Sequence, residues 1–138
     1  MYQELALQIA QKAHAGQVDK AGKDYILPPM TVASYMDTDI EKTIAYLHDV
    51  LEDTDVTVDA LRKIFPNEIV DTLITLTHRK DESYFEYIQR VSKSKLAKKV
   101  KVADLLHNLD ITRIKEPTKQ DYERLEKYKK SILYLTTH

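Results

Sequence analysis

His48 and Asp49 stand side by side, and Glu52 and Asp53 follow them at a spacing of four. In a helix that spacing stacks side chains one turn apart on one face. Three acids and one imidazole therefore converge on the last turn and a half of a single helix. The C-terminal end of a helix already carries roughly −0.5 elementary charge, so added carboxylates are unfavourable there unless a cation offsets them. Imidazole with carboxylates suits a divalent ion such as manganese, iron or zinc. The alternative is that Glu52 and Asp53 simply face water at a helix terminus, and spacing alone leaves both open. With five histidines in the chain, a His-Asp neighbour by itself carries little weight.

A second cluster is Asp104, His107 and Asn108 in KVADLLHNLD. Asp104 interrupts the apolar run of Val102, Ala103, Leu105 and Leu106, and an acid in such a setting needs a partner. Lys101 could supply that partner, in which case structure alone explains Asp104. A metal role requires this helix to pack against the first cluster. Lys93, Lys95, Lys98, Lys99 and Lys101 follow one another with no acid between them. They read as a solvated helix face, the alternative being a positive rim that steers phosphates. His14, His78 and His138 lack acids at helical spacing and read as structural. The chain has no phosphate-binding glycine loop, no G-x-S-x-G elbow and no H-E-x-x-H motif.

The elements that must position these groups are helical throughout. Leu5, Ile9 and Ala13 give a first helix an apolar stripe, with Gly16 as its stop. Residues 16–28 hold both glycines and read as a loop. Pro29 opens a short helix through Val32, Ala33 and Met36. Thr38 and Glu41 form a capping box ahead of Ile40, Ile44, Leu47 and Leu51, a helix expected to run to about Asp53. Thr57 caps a short helix with Leu61 and Ile64, and Pro66 starts another with Ile69, Leu73 and Leu76. Asp81 or Ser83 caps a helix through Tyr84, Tyr87, Ile88 and Val91. Ser94 precedes one with Leu96, Val100, Ala103 and His107. Thr118 and Asp121 cap the last, with Leu125, Tyr128, Ile132 and Leu135. The expectation is an all-α, compact bundle of seven or eight helices.

The remaining composition narrows the partners. The 138 residues fit one domain, taken here as residues 1–138, and 43% hydrophobic residues suffice for its core. Lys+Arg 21 against Asp+Glu 22 leaves a net charge of −1, so no general basic field recruits nucleic acid or anionic lipid. The absence of cysteine excludes disulfides, thiol catalysis and Cys-ligated zinc. No window approaches a membrane span, and the N-terminus does not read as a signal peptide. A soluble, cytoplasmic protein is expected.

Taken in order, AHAGQVDKAGKDYI (13–26), AYLHDVLEDTDVT (45–57), Leu76-Thr77, VKVADLLHNLD (100–110) and PTKQDYERLEKYKKSILYL (117–135) resemble the HD-domain phosphohydrolases. The resemblance is to the small alarmone-hydrolase branch related to the RelA/SpoT hydrolase domain, and it spans nearly the whole chain. It implies an HD-domain helical bundle and a divalent metal, usually manganese. His48, Asp49 and Asp104 match metal ligands, while Glu52 and Asp53 match the acidic pair that positions or activates water. Asn108 matches an asparagine beside the nucleotide, and Lys20 and Arg79 are further candidate phosphate contacts. The implied reaction removes pyrophosphate from the 3′ position of guanosine tetra- or pentaphosphate, or of a related phosphorylated nucleotide. Expected partners are that nucleotide and either a second copy of the chain or an alarmone synthetase; no nucleic acid or membrane partner is expected.

Two departures stand out. The family's first ligand lies in Tyr-Ile-x-His-Pro, whereas this chain reads Tyr25-Ile26-Leu27-Pro28-Pro29. Proline offers a metal no donor, which makes a catalytically impaired nucleotide-binding or regulatory module the competing expectation. The family also often places Arg-Lys after the glutamine of its first loop. Here Val18, Asp19 and Lys20 follow Gln17, so the arginine that stacks on guanine is missing.

Overall fold

The apolar spacing and the caps produce helices almost where the chain calls for them. A computed structural model describes residues 1–17, 27–109 and 116–138. Among these it forms α1 (Tyr2–Ala13), α2 (Leu27–Ser34), α3 (Asp39–Leu47), α4 (Val50–Asp53) and α5 (Val58–Arg62). Then follow α6 (Asn67–Thr75), α7 (Tyr84–Val91), α8 (Lys95–Asn108) and α9 (Lys119–Thr137), with no strand among the described residues. Most of the expected 16–28 loop lies outside the described residues, as does Lys20.

Caps fix the starts. Thr38, Ser83 and Thr118 each accept a hydrogen bond from the backbone three residues on, while Glu41, Glu86 and Asp121 return it. Thr57 and Ser94 cap α5 and α8 through Ala60 and Ala97. Each such cap contributes about 1 kcal/mol. Pro28 and Pro29 fall in the first turn of α2, where backbone N–H groups have no intrahelical partner to lose. Gly16 turns the chain away from α1 with φ +83, the left-handed region that glycine enters freely.

Helix α3 is the centre of the bundle, touching α1, α2, α6 and α8. Its Ile44 and Leu47 are fully buried with Val32, Val50, Ile69, Ile88 and Val100. Each of these side chains contributes about 2 kcal/mol of apolar burial. Helix α1 departs from its expected stripe. Ala6 and Ala10 are its buried residues, Ile9 is half-buried and Leu5 is 40% exposed. Alanines at the contact bring the backbones of α1 and α3 together, which larger side chains would prevent.

The helix expected from Thr38 to about Asp53 is instead two. It stops at Leu47 and resumes as α4, with His48 and Asp49 at the junction. The ring of His48 claims the Ala45 carbonyl at 2.6 Å, and the backbone N–H of His48 reaches the same oxygen at 3.5 Å. Asp49 takes φ −102 and ψ −3, outside regular helix. Glu52 and Asp53 therefore end a single-turn helix rather than a long one, so the accumulated C-terminal dipole expected for them is much reduced. No helix among the described residues is long and apolar enough to cross a membrane.

Candidate active site

Both halves of the candidate site lie on buried helix faces. At the C-terminal cap of α3, His48 continues the register of Ile44 by one turn and is 4% exposed. On α8, Asp104 continues the register of Ala97 and Val100 and is 8% exposed, while Leu106 is turned out to 54%. The acid is thus buried within the apolar run that it interrupts, beside the buried Ala103 and Leu105. Because α3 packs on α8, the two clusters recognised in the sequence meet.

His48 Nε2 lies 3.2 Å from Asp49 Oδ2 and 3.4 Å from Asp104 Oδ1. These are ion-pair contacts; Nε2 is aligned as a hydrogen bond with neither oxygen. The opposite ring nitrogen must carry a proton, since the Ala45 carbonyl beside Nδ1 can only accept. Burial alone would lower the imidazole pKa, but Asp49 and Asp104 hold it well above its ordinary value. The two carboxylates thus favour the protonated form of the ring over the neutral one.

Asp104 has further partners. Lys101 Nζ reaches its Oδ2 at 3.1 Å, and Asn108 Nδ2 donates to its Oδ1 at 3.0 Å and its backbone carbonyl at 2.9 Å. Burial would raise the Asp104 pKa, yet Lys101 and then His48 hold it well below the usual carboxylate range. Lys101 is itself nearly buried. Burial opposes its charge, but Asp104, with smaller contributions from Tyr87, Tyr84 and Asp49, keeps it protonated far above its ordinary pKa. Lys101 is thus the partner that Asp104 needed, and it leaves the solvated face expected of the lysine run. Lys99 leaves it too, bridging Asp37 at 2.7 Å and Glu41 at 2.8 Å.

Glu52 sits at the edge of this group. Partial burial, then the Asp49 and Asp53 carboxylates, raise its pKa. Asp53 is tied through its backbone: Gln17 Nε2 donates to the Asp53 carbonyl at 3.1 Å, and Gln17 Oε1 lies 3.0 Å from His14 Nδ1. His14 is buried, at 2% exposure. His78 gives its Nε2 to the Glu82 carbonyl at 2.7 Å and stacks on Tyr87 with centroids 5.0 Å apart. Arg79 is exposed and lines a cavity bordered by Leu51 and Thr77, which none of His48, Asp49 and Asp104 lines.

One set of groups went unmarked in the sequence. Lys101 Nζ stands 5.2 Å from the Tyr87 ring, Tyr87 and Tyr84 are edge to face at 5.8 Å, and Tyr84 meets Tyr128 at 6.4 Å. Lys127 Nζ lies 4.3 Å over Tyr84 and 5.7 Å over Tyr128. The Lys127 pKa is lowered, by partial burial and then by Arg124 and Lys101. Arg124 is paired with Asp121 and Lys101 with Asp104, which leaves Lys127 beside the aromatic wall as the cation best suited to an anionic, ring-bearing ligand. Tyr128 packs partly buried against the core, in keeping with its helical spacing; the signal that could have found this cluster was the Arg124, Lys127, Tyr128 spacing on one helix face.

No family model matches the chain. A solved structure described as a metazoan ortholog of SpoT that hydrolyzes ppGpp superposes with a TM-score of 0.82 over 97% of this chain and 84% of that one. At 24% identity this establishes the shared fold. A guanosine-3′,5′-bis(diphosphate) 3′-pyrophosphohydrolase of Borreliella burgdorferi is 34% identical over 132 residues, 84% of this chain. A probable GTP pyrophosphokinase of Mycobacterium leprae is 30% identical over 128 residues, 83% of this chain. The chain belongs to the RelA/SpoT hydrolase family. It spans only 20% and 16% of the length of those two relatives.

Family members of this kind are metal-dependent, so the residues present must be tested against a metal. His48, Asp49 and Asp104 do converge, and imidazole with two carboxylates is a suitable donor set. Yet among the described residues no group of three or more His, Asp or Glu side chains is placed to hold a metal ion. The expected manganese centre is therefore not formed by these residues as they stand. The physical reasons are visible: Lys101 and Asn108 already engage both Asp104 oxygens, and the position of the family's first ligand is Pro28, in the first turn of α2.

Proposed function

We propose that the chain, as a single HD-type domain over residues 1–138, binds a phosphorylated guanosine nucleotide and hydrolyses it poorly or not at all. Pro28 carries this reading. A histidine at that point would bring a fourth donor; proline brings none, and the three remaining candidates, His48, Asp49 and Asp104, are engaged with one another and with Lys101. The nucleotide is suggested by the relatives, one of which is described as acting on guanosine-3′,5′-bis(diphosphate).

In this proposal Lys127 receives phosphate charge and the Tyr84–Tyr128 wall receives the ring, with Lys20 a further phosphate contact. Glu52 and Asp53 remain the groups that would order water beside the phosphates. Asn108 acts through Asp104, to which both of its donated hydrogen bonds run. A role as a partner of an alarmone synthetase then rests on nucleotide capture.

Isothermal titration with guanosine tetraphosphate tests the binding. The expected result is micromolar affinity, weakened about tenfold by Lys127→Gln through loss of one charge-assisted contact. Absence of binding to the native chain would contradict the proposal.

The convergence of His48, Asp49 and Asp104 favours a second reading, an active 3′-pyrophosphohydrolase with manganese. Its mark is pyrophosphate release by the unmodified chain.

A further inference from the structure

A cavity of about 290 Å3 opens between α4, the turn leading into α5, and the end of α6. Leu51, Val56, Val58 and Ile74 make its apolar walls, and Thr57, Thr77 and Arg79 contribute polar atoms. Thr57 Oγ1 accepts from the Ala60 N–H, so its own proton remains to be donated. Arg79 has a nearby carboxylate in Glu82, but both Glu82 oxygens are committed to Arg90 at 2.8 and 2.9 Å. Arg79 meets Glu82 through its backbone, its N–H donating to Oε1 at 3.2 Å and its carbonyl accepting from the Glu82 N–H at 3.4 Å, and its guanidinium forms no ion pair among the described residues. An apolar cavity with one uncommitted cation and one available hydroxyl at its wall is complementary to a single negative charge on a hydrocarbon body.

We propose that this cavity binds a small carboxylate with a compact apolar body, its carboxylate on Arg79 and Thr57. The volume corresponds to about ten waters, enough for a phenylpropanoate-sized molecule and too small for a nucleotide. The site is independent of the nucleotide reading. It shares α4 with it, since Leu51 precedes Glu52 and Asp53.

The test is a proton–nitrogen correlation titration of the full chain with 3-phenylpropanoate, 3-phenylpropanol and inorganic phosphate as separate probes. Saturable shifts confined to the amides of Leu51, Val56, Thr57, Val58, Ile74, Thr77 and Arg79 are expected with the carboxylate. The alcohol should bind about tenfold more weakly, as should the carboxylate to Arg79→Gln. Ile74→Phe, which fills the cavity, should abolish the shifts while leaving the rest of the spectrum native. Non-saturating or scattered shifts, equal binding of the alcohol, or phosphate producing the same shifts would each overturn the proposal. Should Ile74→Phe fail to fold, the alcohol and Arg79→Gln arms decide it alone.

Discussion

His48 and Asp104 lie on helices far apart in sequence, yet Nε2 and Oδ1 are 3.4 Å apart inside the bundle. Asp104 also faces Lys101, so this buried carboxylate is shared between two buried basic groups, with Asp49 a second partner of His48. Asp104→Asn keeps the size and removes the charge. It should destabilise the fold by about 3 kcal/mol, the cost typical of stranding buried charge. Urea denaturation checks this, and a loss below about 1 kcal/mol would mean that the cluster is effectively solvated.

Arg90 is the anchor of the segment between α6 and α7. Its guanidinium donates to the Thr75 and Thr77 carbonyls, each at 2.9 Å, and to both oxygens of Glu82. Tyr87 adds a hydrogen bond to the Leu76 carbonyl at 2.6 Å. Arg90→Met retains most of the stem and strands these acceptors, with an expected loss of about 3 kcal/mol. Arg90→Lys should recover only part of it, since an ammonium cannot reproduce the planar fork. Equal stability of the lysine variant and the native chain would contradict this account.

The same pair gives a pH dependence. Arg90 holds the Glu82 pKa at about 2, below its ordinary 4.5. Between those values the unfolded chain binds the additional proton, so acid favours unfolding. The stability supplied by this carboxylate is complete above pH 4.5 and lost as pH falls toward 2. Urea midpoints of the native chain and Glu82→Gln should therefore differ by a constant amount above pH 4.5 and converge below it. A difference that grows on acidification would have the wrong sign.

Ala6 and Leu5 reverse the roles expected of small and large residues. Ala6 is fully buried against the bundle and Leu5 is 40% exposed. Ala6→Leu should cost about 1–3 kcal/mol by forcing α1 off α3. Leu5→Ala should change stability by less than about 1 kcal/mol. Thermal or chemical denaturation of the two variants checks the order.

That reversal marks where sequence reading runs out. Caps and apolar spacing located the helices because both signals are local: Thr38, Thr57, Ser83, Ser94 and Thr118 all cap as their types and positions demand. Close helix approach through Ala6 and Ala10 is a tertiary effect, and alanine carries no hydrophobic signal strong enough to reveal it. The break at His48 was hidden for a different reason. Nothing in the pattern Ile44, Leu47, Leu51 interrupts a helix, and the interruption comes from a histidine side chain taking a backbone carbonyl. In the site, Asp104 was legible as an acid out of place in an apolar run. Lys101 was legible only as its potential partner, and Lys127 not at all, since one lysine in a charged helix resembles the next.

The central claim is that Pro28 separates this chain from turnover. Pyrophosphate release from guanosine tetraphosphate with manganese, compared between the native chain and Pro28→His, tests it most directly. Release by Pro28→His alone, with no more than trace release by the native chain, is the predicted result. Comparable release by both would contradict it, since three protein donors would then suffice for catalysis.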